Sequence, residues 1–426
     1  MTAKQTPIGN GRRRQYGSGS IYQRPDGKWV GRIEAGWSPN GARRRIAVVA
    51  TTESACKAAI KTRIRKLETE GAPIAGVTTR ATVKSWADVW LDRTVNTKRP
   101  KSWDTDASNI RRWVVPTIGV KRLDMLTPGD VRAVTVAIRK AGRSSSTARR
   151  VHQVVTKMFK DAVLEGHAIP QRVLMVEAPA TAVNDRDAIP LPDAIDILQA
   201  AASRMDGSRW AAGLMQGTRQ AETLGLRWSH VDLDNGLMDI SWQLQAIPYR
   251  HRCTDNGKPT CKRRFGGDCP QRERRIPDGY EIKPLDGALC LVRPKTEKGK
   301  RVIPLVPWMV SALEAWRHIA PASPHDLVWP RIDGRPQRVD LDNASWIEIQ
   351  DAAQVAAVDG TEGRRYGIHE MRHTCGSLLQ ESGVDDPTIT AILGHASIVA
   401  SRVYIHVKHT ATRAALEKVA DRLGLA

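Results

Sequence analysis

His369-Glu370-Met371-Arg372-His373, then Leu393-Gly394-His395, then Tyr404, decide how this chain is read. Met371, Cys375, Leu378 and Leu379 recur at i, i+4, i+7 and i+8, which predicts a helix starting near Ile368. On that helix His369 and Arg372 are three apart, neighbours on one face beside the apolar stripe. A second helix is predicted from Asp386 as N-cap, Pro387 in the first turn, apolar Ile389, Ile392 and Leu393, and Gly394 as terminator. His395 then falls just past its end, and Tyr404 sits on a third short helix opening near Ser397. Cations and imidazoles are thereby gathered around one phenol. With a pKa of about 10, a phenol is a poor nucleophile at neutral pH. It becomes useful against an anionic phosphodiester, where guanidinium groups neutralise the non-bridging oxygens as charge builds. Arginine suits that task because its planar fork engages two phosphate oxygens at once.

Two further stretches lie upstream. One is Gly217-Thr-Arg219-Gln-Ala-Glu222-Thr-Leu-Gly-Leu226-Arg-Trp228. The other, Arg293-Pro-Lys295-Thr-Glu-Lys-Gly-Lys-Arg-Val-Ile-Pro-Leu305, reads as two strands around a Glu-Lys-Gly-Lys turn. Together with the C-terminal set, they resemble the tyrosine recombinase (phage integrase) family, in particular actinobacterial phage-type integrases with an N-terminal arm-binding domain. The family pattern is an Arg in G-x-R-x-x-E-x-x-x-L-x-W, a Lys on a β-hairpin, H-x-x-R, L-G-H, and a Tyr nine residues after that His. The match runs from about Asn184 to the C-terminus and fills every position.

The resemblance implies roles. Tyr404 attacks the scissile phosphate and forms a 3′-phosphotyrosyl bond, while Arg219 and Arg372 hold the non-bridging oxygens. Lys295 protonates the leaving 5′-oxygen, His369 accepts the phenol proton, His395 donates a hydrogen bond to the phosphate, and Glu222 supports the arginines. No cofactor is expected, because the cations supply the charge neutralisation and the covalent intermediate conserves the bond energy. The chain has no G-x-x-x-x-G-K-[ST] nucleotide loop, in keeping with that expectation.

Working outward, the expected fold class is multidomain α+β, with an N-terminal sheet domain, a helical domain, and a mainly α catalytic domain carrying a small β-hairpin or sheet. The formal net charge is +21 over 426 residues, with the excess concentrated at the N-terminus, which favours a polyanionic partner. Residues 1–70 read as a basic arm, a hairpin turning at Pro25-Asp-Gly27, a second turn at Pro39-Asn-Gly41, a third strand, and a helix capped by Thr52 or Ser54. A three-stranded sheet backed by one helix, bearing Arg43, Arg44 and Arg45, can lay a β-face in a DNA groove. It looks like the arm-site-binding domain of phage integrases.

Residues 71–80 are a linker. Residues 81–176 read as four helices, beginning near Thr82, Ser102, Thr127 and Ser144, with Arg111, Arg112, Arg149 and Arg150 among many basic positions. By position this unit resembles the family's core-binding domain. Residues 177–191 form a second linker, and 192–426 the catalytic domain, with a strand expected from about Leu237 to Leu244.

An insertion at 251–287 holds Cys253, Cys261 and Cys269 at equal intervals, with His251 close by. Three Cys and one His suit structural zinc. The spacings are not tight C-x-x-C pairs, however, and a mobile basic loop touching DNA is the preferred reading.

Neither a signal peptide nor a transmembrane run is read in the sequence, and the scattered cysteines are expected to be reduced thiols in a cytoplasmic protein. Expected partners are double-stranded DNA at core-type and arm-type attachment sites, a homotetramer formed on that DNA, a host DNA-bending protein and an excision factor, with no membrane. The expected activity is integration and excision of a phage or mobile element. The alternatives are an Xer-type or transposon-type recombinase, a type IB topoisomerase-like enzyme, or a catalytically silent DNA-binding protein. Thr412 to Leu423 reads as a short amphipathic helix. The family resemblance has it dock on a neighbouring subunit rather than on its own domain.

Overall fold

A computed structural model describes residues 20–37, 43–70, 80–181, 188–255, 258–295, 299–355, 365–394 and 409–425. The basic arm, the Pro39-Asn-Gly41 turn, nearly all of the 71–80 linker, and the segment with His395, Tyr404 and the helix expected near Ser397 lie outside them. The chain divides into two compact units: residues up to Thr94 with Asp104–Ala182, and Val95–Trp103 with Val183 onward.

In the first unit, β1 (Ser20–Gln23), β2 (Trp29–Trp37) and β3 (Arg43–Ala50) form an antiparallel sheet in that order. Ile33 lies opposite Ile46, and Glu34 opposite Arg45. Helix α1 (Glu53–Glu70) closes one face by packing Cys56 and Ile60 against Ile33. Thr52 is its cap, since its hydroxyl accepts from the Ala55 N–H at 3.2 Å.

The helical part comprises α2 (Val83–Thr94), α3 (Pro100–Asn109), α4 (Val115–Ile118), α5 (Pro128–Lys140), α6 (Ser145–Leu164) and α7 (Gln171–Leu174). Val83, Trp86, Trp90 and Leu91 form the buried stripe of α2. Its indole N–H groups are satisfied on α6, by Met158 O at 2.9 Å and by Asp161 Oδ2 at 2.8 Å. Thr127 and Asp130 make a capping box at α5, and Ser144 caps α6. The expected single helix from Trp103 to Val115 starts earlier, at Pro100, so Ser102 is not its cap. It passes through a π-turn at Ile110–Val114 into α4. Pro116 lacks an N–H for the helical ladder, and the π-turn just before it absorbs the mismatch.

The second unit is assembled from α8 (Leu191–Ala202), α9 (Gly207–Met215), α10 (Gln220–Thr223), small sheets, α11 (Pro307–Ile319), α12 (Val339–Ala352), α13 (Ile368–Glu381), α14 (Asp386–Leu393) and α15 (His409–Arg422). One core joins α8, α9 and α11 to α15, centred on Trp210, Leu214, Met309, Leu313, Trp346 and Leu379, while smaller clusters form around Leu291 and Cys290. The strands are β4 (Val231–Asp232), β5 (Leu237–Ile240), β6 (Gln243–Ala246), β7 (Tyr249–His251), β8 (Thr254–Asp255), β9 (Lys258–Pro259), β10 (Arg272–Arg274), β11 (Ile282–Asp286), β12 (Leu289–Val292) and β13 (Arg301–Pro304).

Two expectations about these strands are corrected. The strand read from Leu237 to Leu244 breaks at Ser241-Trp242 into β5 and β6. The strands flanking Lys295 do not pair with each other: β12 pairs with β6 and β13 with β5, in separate three-stranded sheets. Lys295 therefore sits in a connection between two sheets, and the true hairpin is β11–β12.

The C-terminal helix departs from expectation too. Ala415, Leu416, Val419, Ala420 and Leu423 are buried in the second unit's own core, Leu416 and Val419 completely. Arg413 donates to Asn235 O at 2.9 Å, and Arg422 pairs with Glu381 at 2.8 Å. The predicted apolar stripe is present, but it is covered within the chain.

Candidate active site

The site is built on three chain segments brought side by side. The first follows α9. Gly217 adopts φ +56°, and a Cβ there would lie 2.4 Å from Leu393 Cδ2, so both the backbone and the packing exclude a side chain. This turn delivers Arg219 to the N-cap position of α10. The second is the end of α14, whose N-cap is Asp385, one residue before the expected Asp386. Its carboxylate accepts from the Thr388 N–H at 3.2 Å. Gly394 closes that helix in the left-handed region at φ +65°. The third is the N-terminal half of α13, whose second turn points Arg372 into the interior.

Glu222 is the hub. Its side chain is buried to 3% exposure and receives Arg219 Nη1 at 2.7 Å and Arg301 Nη2 at 2.9 Å. It also accepts the Arg219 backbone N–H at 2.9 Å. Burial acts to raise its pKa, but Arg301, then the hydrogen bond and charge of Arg219, outweigh that and hold it at about 2. The carboxylate stays ionised and fixes both guanidiniums.

Four backbone carbonyls complete the floor. Arg372 Nη1 donates to Gly217 O at 2.6 Å, and its Nη2 donates to Leu393 O. Arg219 Nη2 donates to Gly394 O at 3.3 Å, and Arg301 Nε donates to Ile392 O at 2.7 Å. Three guanidiniums thus tie the end of α14 to the Gly217 turn. Burial, then the charges of Arg219 and Arg301, lower the Arg372 pKa to about 9, still above neutral pH. Three cations against one carboxylate leave a positive surplus, and an oxyanion is the partner that relieves it.

Of the residues read from the sequence, Arg219, Glu222 and Arg372 come together here. His369 is exposed one turn before Arg372 on α13, its ring 4.8 Å edge-on from that of His373. Although neighbours in sequence register, His369 faces outward and Arg372 inward. Lys295 is exposed in the connection after β12. His395 and Tyr404 lie outside the described residues, with Gly394 the last described position before them. Arg301 received no role from the sequence. It lies 79 residues from Glu222 along the chain, and only the β13–β5 pairing brings it there.

The candidate DNA-contact residues are spread over the first unit. Arg43 and Arg45 are exposed on β3, with Arg43 ion-paired to Glu34 at 3.3 Å, while the Arg44 side chain is outside the described set. Arg111 and Arg112 are exposed on the π-turn. On α6, Arg149 donates to Pro179 O at 3.3 Å and Arg150 pairs with the buried Asp106 at 2.8 Å. In the second unit, His251, Cys253, Cys261 and Cys269 converge, their ligand atoms all within 4.8 Å of one another.

Residues 283–410 match the model of the phage integrase family, a span that contains Lys295, His369, Arg372, His395 and Tyr404. An integrase of Saccharopolyspora erythraea is 25% identical over 454 residues, covering 99% of this chain and 98% of that protein. The Tn1549 transposon integrase, solved in complex with transposon right end DNA, matches with a TM-score of 0.58 at 15% identity, over 80% of this chain and 99% of that one. A lambda integrase tetramer bound to a Holliday junction matches with a TM-score of 0.51 at 16% identity, over 92% of this chain and 98% of that one. These structures share the fold of this chain. Residues 283–410 thus carry a phage integrase family domain, and over its whole length the chain is similar to an integrase.

Proposed function

We infer that this site-specific recombinase cuts and rejoins DNA through a 3′-phosphotyrosyl intermediate, with Tyr404 as nucleophile and the scissile phosphate seated on Arg219 and Arg372. The observation that carries the reading is the fixing of those two guanidiniums by Glu222 and by the Leu393 and Gly394 carbonyls, immediately before His395. Preorganised cations stabilise charge that develops in the transition state at no reorganisation cost. Arg301 acts through Glu222 as a positioning residue. His395 follows directly on the floor and is suited to donate to the phosphate, with His369 as proton acceptor for the phenol and Lys295 as proton donor to the 5′-oxygen.

DNA is the substrate and partner. Residues 1–70 are proposed to bind arm-type sites, 81–176 the core site, and 192–426 to perform the chemistry. Recombination would proceed in a tetramer, as in the lambda integrase assembly, in the cytoplasm of a bacterial host, with a DNA-bending protein and an excision factor as accessory partners. Among the described residues no helix is long and apolar enough to cross a membrane. A duplex nicked beside its crossover point tests the chemistry. The wild type should accumulate a covalent complex, and Arg219→Ala and Arg372→Ala should slow its formation by about a hundredfold or more each. Unimpaired cleavage in both variants would remove the arginine floor from the mechanism.

A further inference from the structure

The insertion between β6 and β11 has almost no apolar interior of its own. Among its described residues from Tyr249 to Arg275 only Cys269 is a buried hydrophobic, and Phe265 is 60% exposed. Its regular structure is a pair of two-stranded ladders, β7 with β10 and β8 with β9. Ladders that short are not stable in water without a packed face or a cross-link. What draws the segments together is a polar cluster instead.

His251 ends β7, Cys253 lies between β7 and β8, Cys261 follows β9, and Cys269 ends the short 3-10 turn Gly266–Asp268. Cys253 Sγ is 3.3 Å from Cys269 Sγ, and Cys261 Sγ is 3.3 Å from His251 Nδ1. The backbone supports the convergence: Thr260 N–H donates to Cys253 O at 2.7 Å, and Arg272 N–H donates to Cys269 O at 3.1 Å.

We propose that His251, Cys253, Cys261 and Cys269 bind one zinc ion, which folds the insertion. Three thiolates and an imidazole form a closed tetrahedral donor set of the structural kind, with no position left for substrate. At Zn–S of about 2.3 Å and Zn–N of about 2.0 Å, tetrahedral ligand atoms lie about 3.5–3.8 Å apart. The observed spacings, from 3.3 Å to no more than 4.8 Å, bracket that figure. A disulfide accounts for the cluster less well. Bonded sulfurs lie about 2.05 Å apart, and a Cys253–Cys269 bridge would leave Cys261 facing His251 with no purpose. Thiolate ligands favour zinc over magnesium or calcium, which take oxygen donors.

The site serves a surface. Residues 251–275 carry eight Lys and Arg against three Asp and Glu. Those like charges repel, and without a core only a cross-link holds them in one arrangement. Zinc binding supplies it, releasing thiol protons as the thiolates form. The inference is independent of the recombinase reading, since it concerns the insertion's fold and not strand cleavage.

The full-length protein, expressed with zinc and dialysed against metal-free buffer, should retain one zinc per chain by elemental mass spectrometry. Replacing zinc with Co(II) should give the intense visible d–d bands of a tetrahedral site and a near-ultraviolet thiolate charge-transfer band. Cys261→Ser and Cys253→Ser should each lose the bound metal. Chelation of the wild type should open the Arg263-Arg264 region to trypsin, with the rest of the chain cut no faster. Three results would each overturn the proposal: sub-stoichiometric zinc with an octahedral cobalt spectrum, stoichiometric zinc that survives both substitutions, or a Cys253–Cys269 disulfide in the non-reduced peptide map. The cobalt spectrum is read on the wild type, so it decides even if the variants misfold.

Discussion

Replacing Glu222 with Gln keeps the shape of the arginine floor and removes the charge that holds it. In the native protein the carboxylate has a pKa of about 2. An unfolded glutamate titrates at about 4.3, and each pKa unit is worth about 1.4 kcal/mol, so the ionised carboxylate contributes about 3 kcal/mol at neutral pH. The side chain is 3% exposed, so solvent screening takes little from that figure. Glutamine also leaves Arg219 and Arg301 facing Arg372 with no counter-charge, and breaking a buried pair typically costs about 3–5 kcal/mol.

The sign with pH follows from the depressed folded pKa. The stabilisation is fully present above the unfolded value and is lost as pH falls from about 5 toward 2. Hydrogen–deuterium exchange of peptides from α9 and α11, in the same core, reads this directly. At pH 7 the variant should exchange roughly a hundredfold faster in those helices, and the ratio of variant to wild type should start to close below about pH 5. Taking the ratio at each pH cancels the intrinsic exchange chemistry. A difference under about 1 kcal/mol at pH 7 would mean that Glu222 is an ordinary surface-type carboxylate, and the positioning argument would fail with it.

Two further outcomes follow from the folding of the individual segments. Leu416→Asp with Val419→Asp puts two carboxylates into a fully buried stripe, so it should destabilise the catalytic unit by more than about 4 kcal/mol. A soluble, folded double mutant by circular dichroism and thermal melting would show instead that the helix docks elsewhere. Deleting residues 1–70 should abolish tight binding to arm-type sites, and fluorescence anisotropy against salt should show a shallower slope, because fewer phosphates are neutralised. Unchanged affinity at every site would refute the domain assignment.

What the sequence disclosed, and what it hid, divides by the range of the interactions. Local signals read well. The Thr52, Thr127 and Ser144 caps, the apolar stripe of α2 and the Gly394 terminator each depend on residues within a few positions. The Arg219–Glu222 pair is equally local, being three residues apart. Arg301 was out of reach because a strand pairing set by distant partners delivers it. The same cause undid the hairpin expected around Lys295. A Lys-Gly turn between two apolar runs resembles a hairpin, but β12 and β13 find their ladders on β6 and β5 instead. The apolar stripe of α15 was visible without its acceptor, since a stripe states that it must be covered and not by which surface. The convergence of the cysteine cluster is hidden in the sequence for a related reason. Equal spacing along the chain has no tight-knuckle signature, and only the ladders of β7 to β10 bring the four side chains together.

The central claim, that Tyr404 is the residue joined to DNA on the Arg219–Arg372 floor, is tested most directly by identifying the linked side chain. Covalent complexes trapped on a nicked core duplex would be digested with nuclease and protease, and the nucleotide-bearing peptide sequenced by tandem mass spectrometry. The account predicts one modified peptide, with the residual nucleotide on the Tyr404 phenol, and no adduct in Tyr404→Phe. A nucleotide attached to any other residue, or a covalent complex persisting in Tyr404→Phe, would contradict it.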